Sequence, residues 1–372
     1  MKATAAIFTG TGEPQVVDDV ELEPPSHAEV MVRLEASGIC RSDLSFVEGK
    51  WPSVLPIVLG HEGSGVIEAV GPGVSEGRVG EHVVLTFAPP CGQCRPCLEG
   101  RANLCVTADA CMERGTMPDG TTRWRWQGRS LHHLALVSSF ATHAVVPAAA
   151  AIPITSGLDL GLASLLGCGV TTGIMSVTNR AKVRPGESVA VFGCGGVGLS
   201  SVQGARLVSA YPIIAVDPLE SKRALALQLG ASHVVDPTVA EPAPVIRELT
   251  GGGVDFAFEA LGSPGVGRQA FDSVRRGGTT VLIGQPAIGV NIALPVYDVT
   301  QYEHTVLGSN LGGANPLLAI PRLAELAALN LIDLDAMVTH RFPLSDINKA
   351  LITAASGEAG RVLLDLRGRR AA

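Results

Sequence analysis

The run Gly193-Cys194-Gly195-Gly196-Val197-Gly198 constrains the fold of this chain more than any other feature. It follows an apolar stretch, Ser188-Val189-Ala190-Val191-Phe192, and opens a segment with the composition of a helix, Val197 to Ala210. A lone G-x-G-x-x-G match says little, but between a strand and a helix each glycine has a task. The turn must be tight, the backbone must approach a pyrophosphate closely, and the helix N-terminus presents free N–H groups to an anion. Further apolar runs recur at a regular interval: Ile213-Ile214-Ala215-Val216, His233-Val234-Val235, Val254-Asp255-Phe256-Ala257-Phe258, Thr279-Thr280-Val281-Leu282-Ile283 and Thr305-Val306-Leu307. Leu219 to Leu229, closed by Gly230, reads as a second helix among them. Alternation of this kind predicts an α/β fold with a doubly wound parallel sheet of six strands. The second strand delivers Asp217, whose carboxylate suits adenosine ribose hydroxyls and repels a 2′-phosphate, so NAD is expected rather than NADP despite Lys222 and Arg223 nearby. Asp217 can equally cap the helix that follows.

The remaining sequence has a different texture. Before about residue 170, Gly and Pro punctuate short β-rich runs such as Glu29-Val30-Met31-Val32-Arg33-Leu34, which reads as a mostly β domain. After about residue 310 come a helix-like stretch, Ile320 to Leu329, and an apolar tail, Arg361 to Leu366, that could return to the first domain. A chain of 372 residues, 46% hydrophobic and 17% charged, has material for two cores. Its formal net charge of −7 argues against nucleic acid as a partner, which leaves small molecules. Leu160 to Asn179 lacks charge over a membrane-spanning length, yet its glycines, serines and threonines favour a buried segment with a functional turn, and no membrane association is expected. The N-terminus shows no secretory signal, so a cytoplasmic location is expected, where eight cysteines suit metal binding better than disulfides.

Cys91, Cys94, Cys97 and Cys105 form C-x2-C-x2-C-x7-C, a spacing that suits a closed tetrahedral zinc site, with an iron–sulfur cluster as the competing assignment. Cys40, His61 and Cys168 are scattered, and spacing alone does not assemble them.

Together these motifs resemble the zinc-dependent alcohol dehydrogenases of the medium-chain dehydrogenase/reductase superfamily, over essentially the whole chain. The resemblance rests on Gly60-His61-Glu62, Gly80-Glu81-His82-Val83-Val84, the four-cysteine lobe, Gly167-Cys168-Gly169-Val170-Thr171-Thr172-Gly173 and the glycine run, in that order. The stretch Gly115 to Arg123 with His132-His133 is similar to the longer loop of liver-type members, usually dimeric, so a homodimer is implied. The resemblance implies a GroES-like catalytic domain over residues 1–169, a Rossmann NAD-binding domain over 170–311, and a return to the catalytic domain over 312–372. It implies two zinc ions per subunit: a structural ion on the four-cysteine lobe and a catalytic ion on Cys40, His61 and Cys168, the Cys2His set established for alcohol dehydrogenases. The activity implied is hydride transfer between a primary or secondary alcohol and NAD, giving aldehyde or ketone. Ser42 matches the hydroxyl that takes the alcohol proton, Asp43 a carboxylate orienting His61, and Glu62 a carboxylate near the metal. Arg41 and Arg361 match pyrophosphate clamps and Lys222 a ribose contact. Thr172 and Val197 match residues near the nicotinamide, and Gly193, Gly195, Gly196 and Gly198 the phosphate turn. Trp51, Phe87 and Phe140 match positions that shape the substrate pocket.

Two departures matter. Ser45 stands where liver-type members often carry a histidine that passes the proton to solvent. Trp51 and Asp109 stand where the glutathione-dependent formaldehyde dehydrogenases place an acidic residue and an arginine, which favours an uncharged aromatic or allylic alcohol, as in the benzyl-alcohol dehydrogenases. Alternatives open on the sequence are a nicotinoprotein with tightly held NAD and an external acceptor, a thiol-dependent formaldehyde dehydrogenase, and a non-catalytic nucleotide-binding redox sensor.

Overall fold

The computed structural model describes residues 1–154 and 157–367, and these divide into two compact units. One unit runs from Met1 to Cys168 and resumes at Asn315; the other is Gly169–Ala314.

The first unit is built from two sheets. Lys2–Phe8, Gln15–Leu22, Trp124–Trp126, Arg129–His133 and Ile57–Val58 close into a barrel. The other sheet runs Ala151–Pro153, His82–Leu85, Glu62–Val70, Glu29–Ile39, Arg361–Asp365, Val338–Pro343, with His143–Pro147 also pairing to Glu29–Ile39. Glu29–Ile39 shows why a strand forms there. Its side chains alternate between two cores, Val30, Val32 and Leu34 entering one and Met31 the other. Lys2–Phe8 repeats this, with Ala6 and Phe8 on one side and Ala3, Ala5 and Ile7 on the other. A period of two with apolar residues at both phases makes a strand buried on both faces. The tail strand Arg361–Asp365 joins this sheet antiparallel to Glu29–Ile39, with Val362 opposite Ile39. The helix expected from Ile320 begins earlier, as Pro316–Ala328, because the Asn315 side chain accepts from the Leu317 amide and Pro316 fits the first turn.

Within the barrel region Arg123 forms a two-pronged ion pair with Glu29, both bonds 2.7 Å, with both side chains buried. Beside it His133 is buried and accepts from the Arg123 amide through Nε2 at 3.0 Å, which leaves its proton on Nδ1. Burial, with the Arg123 charge adding to it, drives the imidazole pKa down to about 3. The unfolded chain binds this proton near pH 6.5. Between about pH 6.5 and 3 the unfolded state therefore carries more protons, and stability falls as pH falls. At pH 5 the loss relative to pH 7 is expected to be about 2 kcal/mol. Replacing His133 with Gln should flatten the fall in Tm between pH 6.5 and 5; an unchanged slope would show that His133 is not the group responsible.

The second unit is a six-stranded sheet in which every neighbouring pair is parallel. Its order is His233–Val235, Ile213–Val216, Val189–Phe192, Val254–Glu259, Val274–Leu282, Thr305–Gly308. The first strand in sequence is thus central and the order reverses there, which is the dinucleotide-binding arrangement. All six strands expected from the sequence are present. Gly196–Leu207 and Glu220–Leu229 are the two helices expected, the latter ended by Gly230 at φ 122°.

Among the described residues no single helix is long and apolar enough to cross a membrane. The uncharged run after Leu160 is broken at Cys168, between the turn Ser164–Gly167 and the helix Gly169–Met175, and most of it is buried.

Candidate active site and metal centres

Antiparallel pairing brings distant residues of the first unit together. Cys40 follows the end of strand Glu29–Ile39, and Glu62 opens the neighbouring strand opposite Gly38. Arg361 opens the strand on the other side. The end of one strand and the starts of its two antiparallel neighbours necessarily lie at one sheet edge. Gly60, at φ +91°, turns the chain just before His61. Cys168 arrives from the break after Gly167, where a Cβ would meet the Leu85 carbonyl oxygen at 2.5 Å. The result is a cluster of Cys40, His61, Glu62 and Cys168 whose ligand atoms all lie within 4.8 Å of one another.

Asp43 organises this cluster. One carboxylate oxygen accepts from the Cys40 amide at 2.9 Å and closes the N-terminus of helix Arg41–Val47; the other meets His61 Nδ1 at 2.9 Å. Nδ1 is thereby engaged and Nε2 is left for a ligand role, the arrangement that orients a metal-binding imidazole. Burial opposes charge on His61, but Asp43 and then Cys40 outweigh it and hold its pKa well above the usual imidazole range. A hydrogen bond with the Cys168 thiol holds Cys40 well below the usual thiol range, and the same bond raises Cys168. Ser42, half-buried, has its hydroxyl 3.7 Å from Cys40 Sγ. Ser45 is buried and its hydroxyl donates to the Arg41 carbonyl at 3.2 Å, within its own helix.

Glu62 and Arg361 form a fully buried ion pair, and the guanidinium also donates to the Ile39 carbonyl at 3.3 Å. A side chain at Gly38 would collide with the Glu62 carboxylate and crowd Arg361, so glycine makes the room. Burial pushes Glu62 up to about 7 against the pull of Arg361. Arg361 thus sits beside the metal-ligand cluster, a partnership the sequence did not signal because 299 residues separate the two. Arg41 is exposed, with a 3.3 Å ion pair to Glu48.

Phe87 stands edge-on to His61, ring centroids 6.0 Å apart, and Trp51 edge-on to Phe46 at 5.4 Å. Phe140 is the third aromatic expected at the pocket. It is wholly buried in the first unit's core, seated on Gly60, and its backbone is bonded to Leu59 and Ala6. A ring at 0% exposure fills core volume.

The four-cysteine lobe is equally compact. Cys91, Cys94, Cys97 and Cys105 have all four sulfurs within 4.8 Å of one another, and Cys94 and Cys105 are 3.9 Å apart. Zinc–sulfur bonds of about 2.3 Å in a tetrahedron place the sulfurs about 3.8 Å apart, so the spacing fits a single zinc ion and leaves no room for a multi-iron cluster. Amides of Cys91 and Cys94 point at the sulfurs of Cys105 and Cys91 at 3.3 and 3.4 Å, as negative thiolates require. In the other cluster two thiolates and an imidazole oriented by a carboxylate are likewise a zinc donor set.

In the second unit the glycines divide their tasks. Gly193 takes φ +90° in the turn, Gly195 has open space where a Cβ would stand, and a Cβ at Gly198 would strike the Gly193 carbonyl. Gly196 opens the helix, and Val197 follows it half-buried. Thr172 lies on helix Gly169–Met175, which Gly173 lets approach the Val197 carbonyl. Asp217 accepts from the amides of Cys194 at 2.8 Å and Leu219 at 2.9 Å, tying strand end, glycine turn and the next helix together. Lys222 is buried on that helix.

Residues 26–156 match the alcohol dehydrogenase GroES-like domain and residues 196–328 the zinc-binding dehydrogenase family. An S-(hydroxymethyl)glutathione dehydrogenase of Synechocystis is 38% identical over 368 residues, covering 98% of this chain and 100% of that one. The crystal structure of an alcohol dehydrogenase zinc-binding domain protein from Burkholderia ambifaria superposes with a TM-score of 0.94 at 38% identity, covering 98% and 99% of the two chains. Benzyl alcohol dehydrogenase from Acinetobacter calcoaceticus does so with a TM-score of 0.93 at 34% identity and the same coverage. With nearly full-length likeness on both sequence and structure, and both of its domains matched, this chain belongs to the family of zinc-dependent alcohol dehydrogenases.

Proposed function

We propose that this chain oxidises an uncharged primary or secondary alcohol, aromatic or allylic, to the aldehyde or ketone with NAD as hydride acceptor, and reduces the carbonyl in reverse. The observation that carries the substrate class is Phe87, which lies edge-on to His61 of the Cys40, His61 and Cys168 cluster; Trp51, half-buried, stands edge-on to Phe46 on the helix that Cys40 begins. An apolar ring beside a ligand favours a hydrophobic group on the carbinol carbon.

Cys40, His61 and Cys168 would hold the catalytic zinc, and the four lobe cysteines the structural one. When bound, zinc supplies Lewis acidity that makes the alcohol hydroxyl more acidic, and NAD supplies the acceptor for hydride. The protein's own part is positional. Asp43 fixes the imidazole through Nδ1, and Arg361 holds the Glu62 carboxylate beside the ligands without leaving a bare buried charge. The Ser42 hydroxyl, beside Cys40, accepts the alcohol proton. Ser45 spends its hydroxyl on the Arg41 carbonyl, so it is not a proton carrier beyond Ser42, and a bound dinucleotide would supply the onward hydroxyls with water. The turn from Gly193 to Gly198 and the Asp217 carboxylate receive the dinucleotide, the pyrophosphate at the helix N-terminus and the adenosine ribose at Asp217. A homodimer belongs to the same reading. It is supported by the edge position of Thr305–Gly308 in its sheet and the exposed Ile288, Val296, Tyr297 and Val306 in that unit.

The names of curated relatives favour a second reading, oxidation of S-(hydroxymethyl)glutathione. Against it, Asp109 is exposed and acidic where an anionic thiol adduct calls for a cation. A substrate panel run with NAD and NADP in parallel separates the two. We expect kcat/KM for benzyl alcohol to exceed that for S-(hydroxymethyl)glutathione by at least about tenfold, with NAD preferred. The opposite order would overturn the aromatic-alcohol assignment.

A further inference from the structure

At the end of strand Ile213–Val216 the chain carries opposite signals for the adenosine ribose. Asp217 is an acidic reader of a 2′-hydroxyl, while Arg223, six residues on, is the kind of cation that accepts a 2′-phosphate. The arginine is withheld. Its Nη1 donates to the carbonyl oxygens of Asp217 and Pro218, both at 2.8 Å, and pairs with Asp236 Oδ2 at 2.9 Å. Asp236 directly follows strand His233–Val235 and is itself anchored. Its Oδ1 accepts from the Thr238 hydroxyl at 2.6 Å and the Thr238 amide at 2.9 Å. Those bonds, with Arg223 adding to them, hold its carboxyl below the usual range, so it is a secure anion at neutral pH. The Asp217 carboxylate is meanwhile fixed by the Cys194 and Leu219 amides.

We propose that Asp236 is a specificity-determining residue for the coenzyme: it pairs with Arg223, folds the guanidinium back on the Asp217–Pro218 carbonyls, and leaves Asp217 as the acidic group that the adenosine ribose meets. The proposal rests on the NAD reading above. Asp217, Arg223 and Asp236 together carry a net charge of about −1, which disfavours a 2′-phosphate of about −1.5 to −2. Removing Asp236 neutralises the trio and frees donors for the phosphate oxygens. Asp236 does not touch the nucleotide in this scheme; it acts through Arg223.

The test is isothermal titration of the zinc-loaded full-length enzyme with NADH and with NADPH. Asp236→Ala should shift the ratio of the two dissociation constants about tenfold toward NADPH, equivalent to about 1.4 kcal/mol. That is of the size expected for one charge-assisted hydrogen bond. The same shift should appear in kcat/KM through the KM for NADP, with kcat unchanged. Adding Arg223→Ala should return the ratio to that of the wild type. A folded Asp236→Ala whose ratio does not move, or a double variant that keeps the shift, overturns the proposal. If Asp236→Ala does not fold, Asp236→Asn gives the answer, since it keeps the acceptor for Thr238 and removes the charge. Tighter binding of NADPH by the wild type would refute the NAD reading itself, and that result is seen before any substitution is made.

Discussion

Cys168→Ser is expected to reduce turnover by about a thousandfold or more, since the polarising role assigned to the catalytic zinc is worth several kcal/mol of barrier. Metal content should fall with it, from two zinc ions per chain to one. The remaining ion belongs to Cys91, Cys94, Cys97 and Cys105, which form a separate cluster with all four ligand atoms within 4.8 Å. Asp43→Asn should be milder, about 10–100-fold, because it loosens His61 without removing a ligand. Metal analysis beside steady-state kinetics checks both. A Cys168→Ser protein that keeps two zinc ions and full turnover would refute the assignment of Cys168.

The second large effect concerns stability. Arg361→Met leaves the Glu62 carboxylate in a wholly buried site without its cation. Breaking a buried pair from one side costs about 3–5 kcal/mol. For a unit of this size that is a fall in Tm of about 6–20 °C. Replacing both partners, Glu62→Leu with Arg361→Met, should recover much of the loss, because no bare charge remains and only packing is changed. Melting curves at a fixed zinc concentration measure it. Equal Tm values for the wild type and Arg361→Met would show that the pair adds nothing to the fold. The pair also ties the tail strand Arg361–Asp365 to the sheet edge that carries Cys40 and His61, so the single variant should weaken zinc retention at that site as well.

The parts legible in the sequence are those where local chemistry and function coincide. Gly193, Gly195 and Gly198 could be read because each answers a backbone demand within one turn: a positive φ, an open approach, a helix packed on its own strand. The lobe could be read because four thiols within fifteen residues can reach one ion with little help from the rest of the chain. The central strands Val189–Phe192 and Ile213–Val216 could be read because burial on both faces imposes continuous apolar runs. Residue 140 shows the limit of such reading. An aromatic in a familiar stretch is equally consistent with pocket or core, and its seat against Gly60 is visible only in the fold. Arg223 shows the same limit, since a cation near a ribose site invites a phosphate-binding role until its partner, thirteen residues on, is seen.

The sequence by itself determined the α/β coenzyme domain, the β-rich partner domain, the structural zinc lobe and the acidic residue at the end of the second strand, because periodicity, spacing and turn chemistry act over short stretches of chain. Only the tertiary structure decided which distant groups share a site. Cys40, His61, Glu62, Cys168 and Arg361 meet because antiparallel register places one strand's end beside its neighbours' beginnings, and the break after Gly167 carries Cys168 to the same place. Register is a property of the assembled sheet, set by which faces are buried, and no single segment of the chain carries it.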